Sequence, residues 1–150
     1  MKSMISKTMA LLAICTAFVA FSPKPGGEGF EIYLNNKVIL QQYGSDINTA
    51  KSLQLPQASA DDKLVIKYHH CGRVGKNRIV TIRDGQNKIL KEFRFADSPA
   101  PVSAMSIKVK DITSLKKGTG NLKLYYTSTE LPNGRMLASL TTQNSNLTKL

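Results

Sequence analysis

From Phe30 onward, apolar and polar residues alternate with a period of two, and turn-forming residues interrupt the alternation at short intervals. This pattern is typical of short β-strands that bury one face. Asn35-Asn36 and residues 84–87 predict two hairpin turns, because Asn and Gly tolerate positive φ angles, and residues 131–134 predict a third turn. The predicted strands are 30–34, 37–43, 52–55, 63–71, 78–83, 88–95, 105–110, 121–127 and 135–140.

One short helical turn is predicted at 111–117, with Asp111 as the N-cap and Gly118 just past the C-terminal end. Residues 96–104 contain two prolines and predict the one long crossover between sheets. Eight to nine short strands with so little helix predict an all-β fold. The expected architecture is a two-sheet β-sandwich of jelly-roll or immunoglobulin-like type.

The segment Met105–Tyr126 combines an alternating strand, an Asp-capped turn, a glycine corner and a second alternating strand. Its matching residues are Ile107, Val109, Asp111, Leu115, Gly118, Asn121, Leu122 and Leu124. In these residues it resembles galactose-binding-like jelly-roll domains, and the hairpin FEIYLNNKVI is similar to one that such domains carry. The resemblance implies a jelly-roll fold, but the matching residues are structural, so it implies no ligand. As a whole, the chain resembles small exported β-proteins of bacteria.

The N-terminus has the layout of a secretory signal peptide. Lys2 and Lys7 precede an uncharged apolar run over 9–21, and Ser22 and Pro23 end it. The run is short for a membrane span, so residues 1–22 predict a cleaved signal peptide, and a retained anchor is the alternative. Residues 23–140 are then one β-sandwich domain and 141–150 a loosely ordered tail. We therefore expect a periplasmic or extracellular protein with no transmembrane span in the mature chain.

The chain is strongly basic, with 21 Lys and Arg, 10 Asp and Glu, and a net charge of +11. Removal of residues 1–22 takes away two lysines and leaves +9. Outward positions on the late strands and their connection predict one basic group, and the loop near residue 75 predicts a second. The first comprises Lys108, Lys110, Lys116, Lys117 and Lys123, and the second Arg73, Lys76 and Arg78.

Such basic groups attract polyanions through long-range electrostatics. For an exported protein, the expected partners are anionic polysaccharide or another cell-envelope polymer, and nucleic acid is not expected. The tyrosines of the chain also allow carbohydrate to stack on the surface. The alternative is that the lysines only keep the surface solvated and protect edge strands from pairing.

His69, His70 and Cys71 form the one group with obvious site chemistry. Strand alternation predicts that His69 and Cys71 share the outward face, while His70 points to the core. Imidazole and thiolate ligands select zinc or copper, so His69 and Cys71 are candidate metal ligands. A thiol nucleophile activated by imidazole is a second alternative, and a purely structural strand end is a third. No other cofactor is expected.

Ten scattered acidic residues form no recognisable catalytic pair, and one mature cysteine cannot form an intramolecular disulfide. The sequence therefore predicts an exported, non-catalytic binding or structural module. The alternative is a metal- or thiol-dependent protein or enzyme centred on His69 and Cys71.

Overall fold

A computed structural model of the chain describes residues 27–56, 59, 61–115 and 120–142. The predicted signal peptide, the lysines Lys116 and Lys117, and residues 143–150 of the predicted tail lie outside the described residues. Within them, the chain forms nine β-strands, one 3-10 helix at Gly44–Asn48 and one short α-helix. The strands are β1 Glu28–Leu34, β2 Lys37–Tyr43, β3 Lys51–Leu55, β4 Lys63–His70, β5 Arg78–Arg83, β6 Ile89–Phe95, β7 Ala104–Lys108, β8 Leu122–Ser128 and β9 Leu131–Thr142, and the helix is α1 Val109–Thr113.

The strands form two sheets. The four-stranded sheet has the order β2-β1-β4-β7, and the five-stranded sheet has the order β3-β9-β8-β5-β6. Neighbouring strands are antiparallel except β3 and β9, which are parallel. Connections between the sheets follow β2, β3, β4, β6 and α1. The predicted crossover over 96–104 is therefore present after β6, but the prediction that it is the one long crossover is wrong.

A single apolar core lies between the two sheets, since alternate residues of every central strand point inward. The predicted β-sandwich is confirmed. Alternation in the sequence also predicts which side chains of the late strands point inward, and all five are buried: Ile107, Val109, Leu122, Leu124 and Tyr126. The largest fully buried side chains are Tyr126, Phe30, Ile32, Leu55, Leu64, Ile66, Ile82, Met105, Ile112, Leu124, Leu137 and Leu140.

The first hairpin turn forms as predicted, because Asn35 and Asn36 have φ angles of 48° and 70°. Such angles at both central residues suit the twist of a two-residue hairpin. The predicted turn at 131–134 is wrong, since these residues belong to β9 and the chain turns just before them. Gly134, with φ of 69°, lies where the β8–β9 register shifts. Strand β9 also takes in the first two residues of the predicted tail.

Helix α1 begins two residues before the predicted N-cap, with Lys108 in the cap position and Asp111 inside the first turn. Burial explains the earlier start, because Val109 and Ile112 are both fully buried and are spaced to share one helix face. The Val109 N–H donates to the carbonyl oxygen of Asp62 (2.8 Å), which fixes the start of the helix against the residue just before β4. None of the described helices reaches the length and apolarity that crossing a bilayer requires.

Candidate functional site

Strand β4 ends at His70, one residue earlier than predicted. Cys71 follows in an exposed turn with a φ of 52°, closed by the Arg73 N–H donating to the His70 carbonyl oxygen (3.1 Å). The prediction that His69 and Cys71 share one strand face is therefore wrong. His69 points outward and His70 points into the core, as predicted.

His69 lies in a polar and aromatic cluster on the outer face of the four-stranded sheet. Its ring meets the ring of Tyr43 edge-on, with the two ring centres 5.4 Å apart, and its Nε2 atom lies 3.7 Å from the Glu31 carboxylate. The hydroxyl groups of Tyr33 and Tyr43 both donate to Glu31. Three neighbouring strands, β1, β2 and β4, thus supply one connected group.

Gly29 makes room for this arrangement. It lies between Tyr43 on β2 and His69 on β4 in the strand register. A Cβ atom at position 29 would overlap the ring atoms of Tyr43. Because glycine has no such atom, the Tyr43 ring reaches across β1 toward His69.

Glu31 is the carboxylate at the centre of this cluster. Burial alone would raise its pKa, but the hydrogen bonds from Tyr33 and Tyr43 and the charges of nearby His69 and Lys67 outweigh burial and lower the pKa. Burial and the hydrogen bond to Glu31 raise the pKa of Tyr43. Both hydroxyl groups therefore remain protonated donors, and Glu31 remains a carboxylate.

Three lysines lie on the same face. Lys67 lies opposite Glu31 in the register, and its ammonium group stands 4.7 Å from the centre of the Tyr33 ring. Lys63 and Lys108 are paired directly opposite each other on β4 and β7, and both are exposed. We call this outward surface the tyrosine–lysine face. It comprises Glu31, Tyr33, Tyr43, Lys63, Lys67, His69 and Lys108.

Most of this face was not predicted from the sequence. Of its seven residues, only His69 and Lys108 were among the predicted site residues. Alternation along the predicted strands could have placed the tyrosines and lysines on outward positions. The order of the strands was needed to bring β1, β2, β4 and β7 side by side.

His70 lies on the inner side of the same strand end. Its Nε2 atom is 2.9 Å from the Tyr126 hydroxyl and 3.4 Å from the Ser128 hydroxyl. The centre of its ring lies 4.7 Å from the centre of the Tyr68 ring. Burial lowers the pKa of His70, and Arg73 and Arg78 act in the same direction. Glu130 and Glu28 oppose them. His70 is thus a neutral, hydrogen-bonded core histidine.

Arg78, predicted to lie in the second basic group, is buried. Its guanidinium group donates to the carbonyl oxygens of Ala96 (2.9 Å) and Ser103 (3.1 Å). It therefore holds the connection between β6 and β7 and does not contribute to the surface charge. Its predicted neighbours Arg73 and Lys76 are exposed.

The first predicted basic group is divided between the two sheets. Lys108 lies on the tyrosine–lysine face and Lys110 is exposed on α1, whereas Lys123 is on β8 in the five-stranded sheet. Lys123 donates to the Gly85 carbonyl oxygen (3.0 Å) and the Asn87 side chain (2.7 Å). It braces the β5–β6 turn, which borders a cleft of about 560 Å³.

For a metal site, three or more ligands must converge. In the part of the chain that the structure describes, no group of three or more His, Cys, Asp or Glu side chains is placed to hold a metal ion. His69 and Cys71 as zinc or copper ligands therefore stay a prediction from the sequence.

No family model matches the chain, and the search of curated proteins found no matching relative.

Proposed function

We propose that the protein is an exported, non-catalytic binding module whose tyrosine–lysine face binds acidic polysaccharide. The observation that carries this proposal is the juxtaposition of two tyrosines and three lysines on one open sheet face. From Lys63 to His69 the face extends about 20 Å along β4, which is long enough to contact several groups of a polymer at once.

The lysine pair at one end favours an anionic ligand. Like charges directly opposite each other on neighbouring strands are destabilising, and Lys63 and Lys108 are such a pair. Neither forms an ion pair with any other described residue. A carboxylate or sulfate group between them would relieve their repulsion, so their arrangement suits a polyanion.

The aromatic end favours a sugar polymer over a simple ion. Tyr43 is 36% exposed, and its hydroxyl group is committed to Glu31. The ring therefore presents its apolar surface with little freedom to turn away, and an amphipathic aromatic ring loses little conformational entropy on binding. The predicted signal peptide supports contact with cell-envelope polysaccharide, because it would place the protein outside the cytoplasm.

Retention on immobilised heparin, as a representative acidic polysaccharide, tests the proposal. The variant Lys63→Ser/Lys67→Ser/Lys108→Ser should elute at a much lower salt concentration than the wild-type protein, because three charges leave the binding face. Tyr43→Ala should also weaken retention, although it changes no charge. A neutral dextran matrix should retain none of these proteins.

The matched control removes three exposed lysines from elsewhere on the surface. Lys51, Lys76 and Lys88 lie on β3, in the loop after β4 and in the β5–β6 turn. The variant Lys51→Ser/Lys76→Ser/Lys88→Ser has the same net charge as the first triple variant. If both triple variants elute at the same salt concentration, retention depends on net charge alone and the proposed face is wrong.

A further inference from the structure

Strand β6 is an edge strand of the five-stranded sheet. It pairs with β5 on one side, and no other described strand pairs with its free side. Its main-chain groups on that side also form no hydrogen bond to a described loop or turn. A free strand edge is a template for pairing with a strand of another chain, unless its side chains prevent that pairing.

The outward side chains of β6 are charged and accessible. Arg94 has 74% of its side chain exposed, and Glu92, on the same face, has 34% exposed. The two form an ion pair within the strand. Two exposed apolar residues, Ile89 and Leu90, precede them on the same strand, with exposures of 50% and 36%.

We propose that β6 pairs antiparallel with β6 of a second copy of this chain, with Phe93 at the two-fold axis. In this register Glu92 of each copy lies opposite Arg94 of the partner subunit. The inward Phe93 side chains meet at the axis, where both already pack against their own cores. The two five-stranded sheets then continue as one sheet across the dimer.

Charge selects this register over its neighbours. In an antiparallel strand pair, residues that oppose each other point to the same face of the sheet. The inward faces of the two copies therefore lie on the same side of the joined sheet only if the two-fold axis passes between the two copies of one residue. An axis at Glu92 or at Arg94 would place two like charges opposite each other. An axis at Lys91 would do the same, and like pairs across strands are destabilising. Of these four axes, only the one at Phe93 sets opposite charges against each other, and it does so twice.

Lys91 does not block the pairing. An inward lysine on an edge strand commonly prevents association. Here the Lys91 ammonium group lies 3.5 Å from the Asp111 carboxylate and 5.0 Å from the centre of the Phe93 ring. Its charge is therefore already compensated within its own subunit. A two-fold pairing also closes on itself, since each copy uses its single β6 edge, and so it stops at a dimer.

The test is the mass of the protein in solution, measured by light scattering under reducing conditions because Cys71 is free and exposed. We expect the wild-type protein to have twice the mass of the chain. Glu92→Arg should give a monomer, because the introduced guanidinium group would then oppose Arg94 of the partner subunit. Arg94→Glu should do the same through two opposed carboxylates. Combining the two substitutions in one chain should restore the dimer.

A mixing experiment separates pairing between subunits from the ion pair within the strand. Each single variant loses the internal ion pair, yet their mixture can place two arginines of one copy opposite two glutamates of the other. An equimolar mixture of Glu92→Arg and Arg94→Glu should therefore form a heterodimer. A wild-type protein with the mass of one chain, or a mixture that stays monomeric, would overturn the proposal.

Discussion

The ring of Tyr43 lies over the backbone of Gly29, in the space that a side chain at position 29 would occupy. This single contact connects three strands, because Tyr43 comes from β2, Gly29 from β1, and His69 beyond them from β4. The aromatic end of the tyrosine–lysine face therefore depends on one residue being glycine. An aromatic ring over a strand glycine also covers main chain that would otherwise be open to water.

Gly29→Ala should displace the Tyr43 ring and destabilise the fold by about 1–3 kcal/mol, the usual cost of forcing an extra carbon into a packed position. Because alanine is otherwise a better strand residue than glycine, a decrease in the free energy of unfolding would point to the overlap with the Tyr43 ring. Urea denaturation measures the free energy of unfolding. In a Tyr43→Ala background the same substitution should cost at least about 1 kcal/mol less, because the overlapping ring is gone. Equal costs in both backgrounds would show that the contact with Tyr43 is not the cause.

The buried His70 predicts a loss of stability at acidic pH. Burial lowers its pKa in the folded state, so the unfolded state takes up the proton first as the pH falls below about 6.5. The free energy of unfolding should therefore decrease from that pH downward until the pH passes the folded-state pKa. Urea denaturation at several pH values should show a smaller decrease in His70→Gln than in the wild-type protein.

An NMR titration of the His70 ring distinguishes burial from hydrogen bonding as the cause of its lowered pKa. Tyr126→Phe removes the hydroxyl group 2.9 Å from His70 but keeps the ring that buries it. Because burial is the largest cause, the NMR titration midpoint of the His70 ring should stay below about 6.5 in this variant. A midpoint at or above that value in the wild-type protein would contradict the structure.

Arg78→Met should lower the free energy of unfolding by about 2–4 kcal/mol. The variant leaves the carbonyl groups of Ala96 and Ser103 without a charged donor, and truncating a buried hydrogen-bonded charge is costly. Lys76→Met, two residues earlier and exposed, is the matched control and should change stability by less than about 0.5 kcal/mol. Similar values for the two variants would mean that Arg78 does not hold the β6–β7 connection.

Cys71 should tolerate glycine better than valine. Its φ of 52° lies in the left-handed region, which costs an L-residue about 1–2 kcal/mol and a β-branched one more. Cys71→Gly should therefore maintain or raise the melting temperature, and Cys71→Val should lower it. The opposite order would show that Cys71 is held by packing, as a buried thiol in a strand would be.

The sequence predicted the strands well because alternation is a local property. Strand β2, of seven residues, and strand β5, of six residues, both begin and end where the sequence predicts. The inward residues of β8 are buried as predicted. The end of β4 was missed by one residue, since a positive φ at a cysteine has no signal in the pattern. That one residue decides whether Cys71 and His69 share a face.

The candidate site was harder to predict, because it depends on which strands are neighbours. Lys108 and Lys123 are both outward residues of late strands, yet β7 and β8 belong to different sheets. Lys63 and Lys108 are far apart in sequence and face each other. Burial of Arg78 likewise depends on acceptors in the distant 96–103 connection, and a charged residue at a strand start gives no hint of it.

Strand β9, the last described strand, lies between β3 and β8, and its pairing with β3 joins Lys51 to Ala138. During synthesis, β3 therefore cannot pair with β9 until nearly all of the described chain has left the ribosome. Pairing across such a long separation makes folding slow. If the predicted signal peptide directs export, a sheet that is completed late keeps the chain unfolded for longer, which passage through a membrane channel requires.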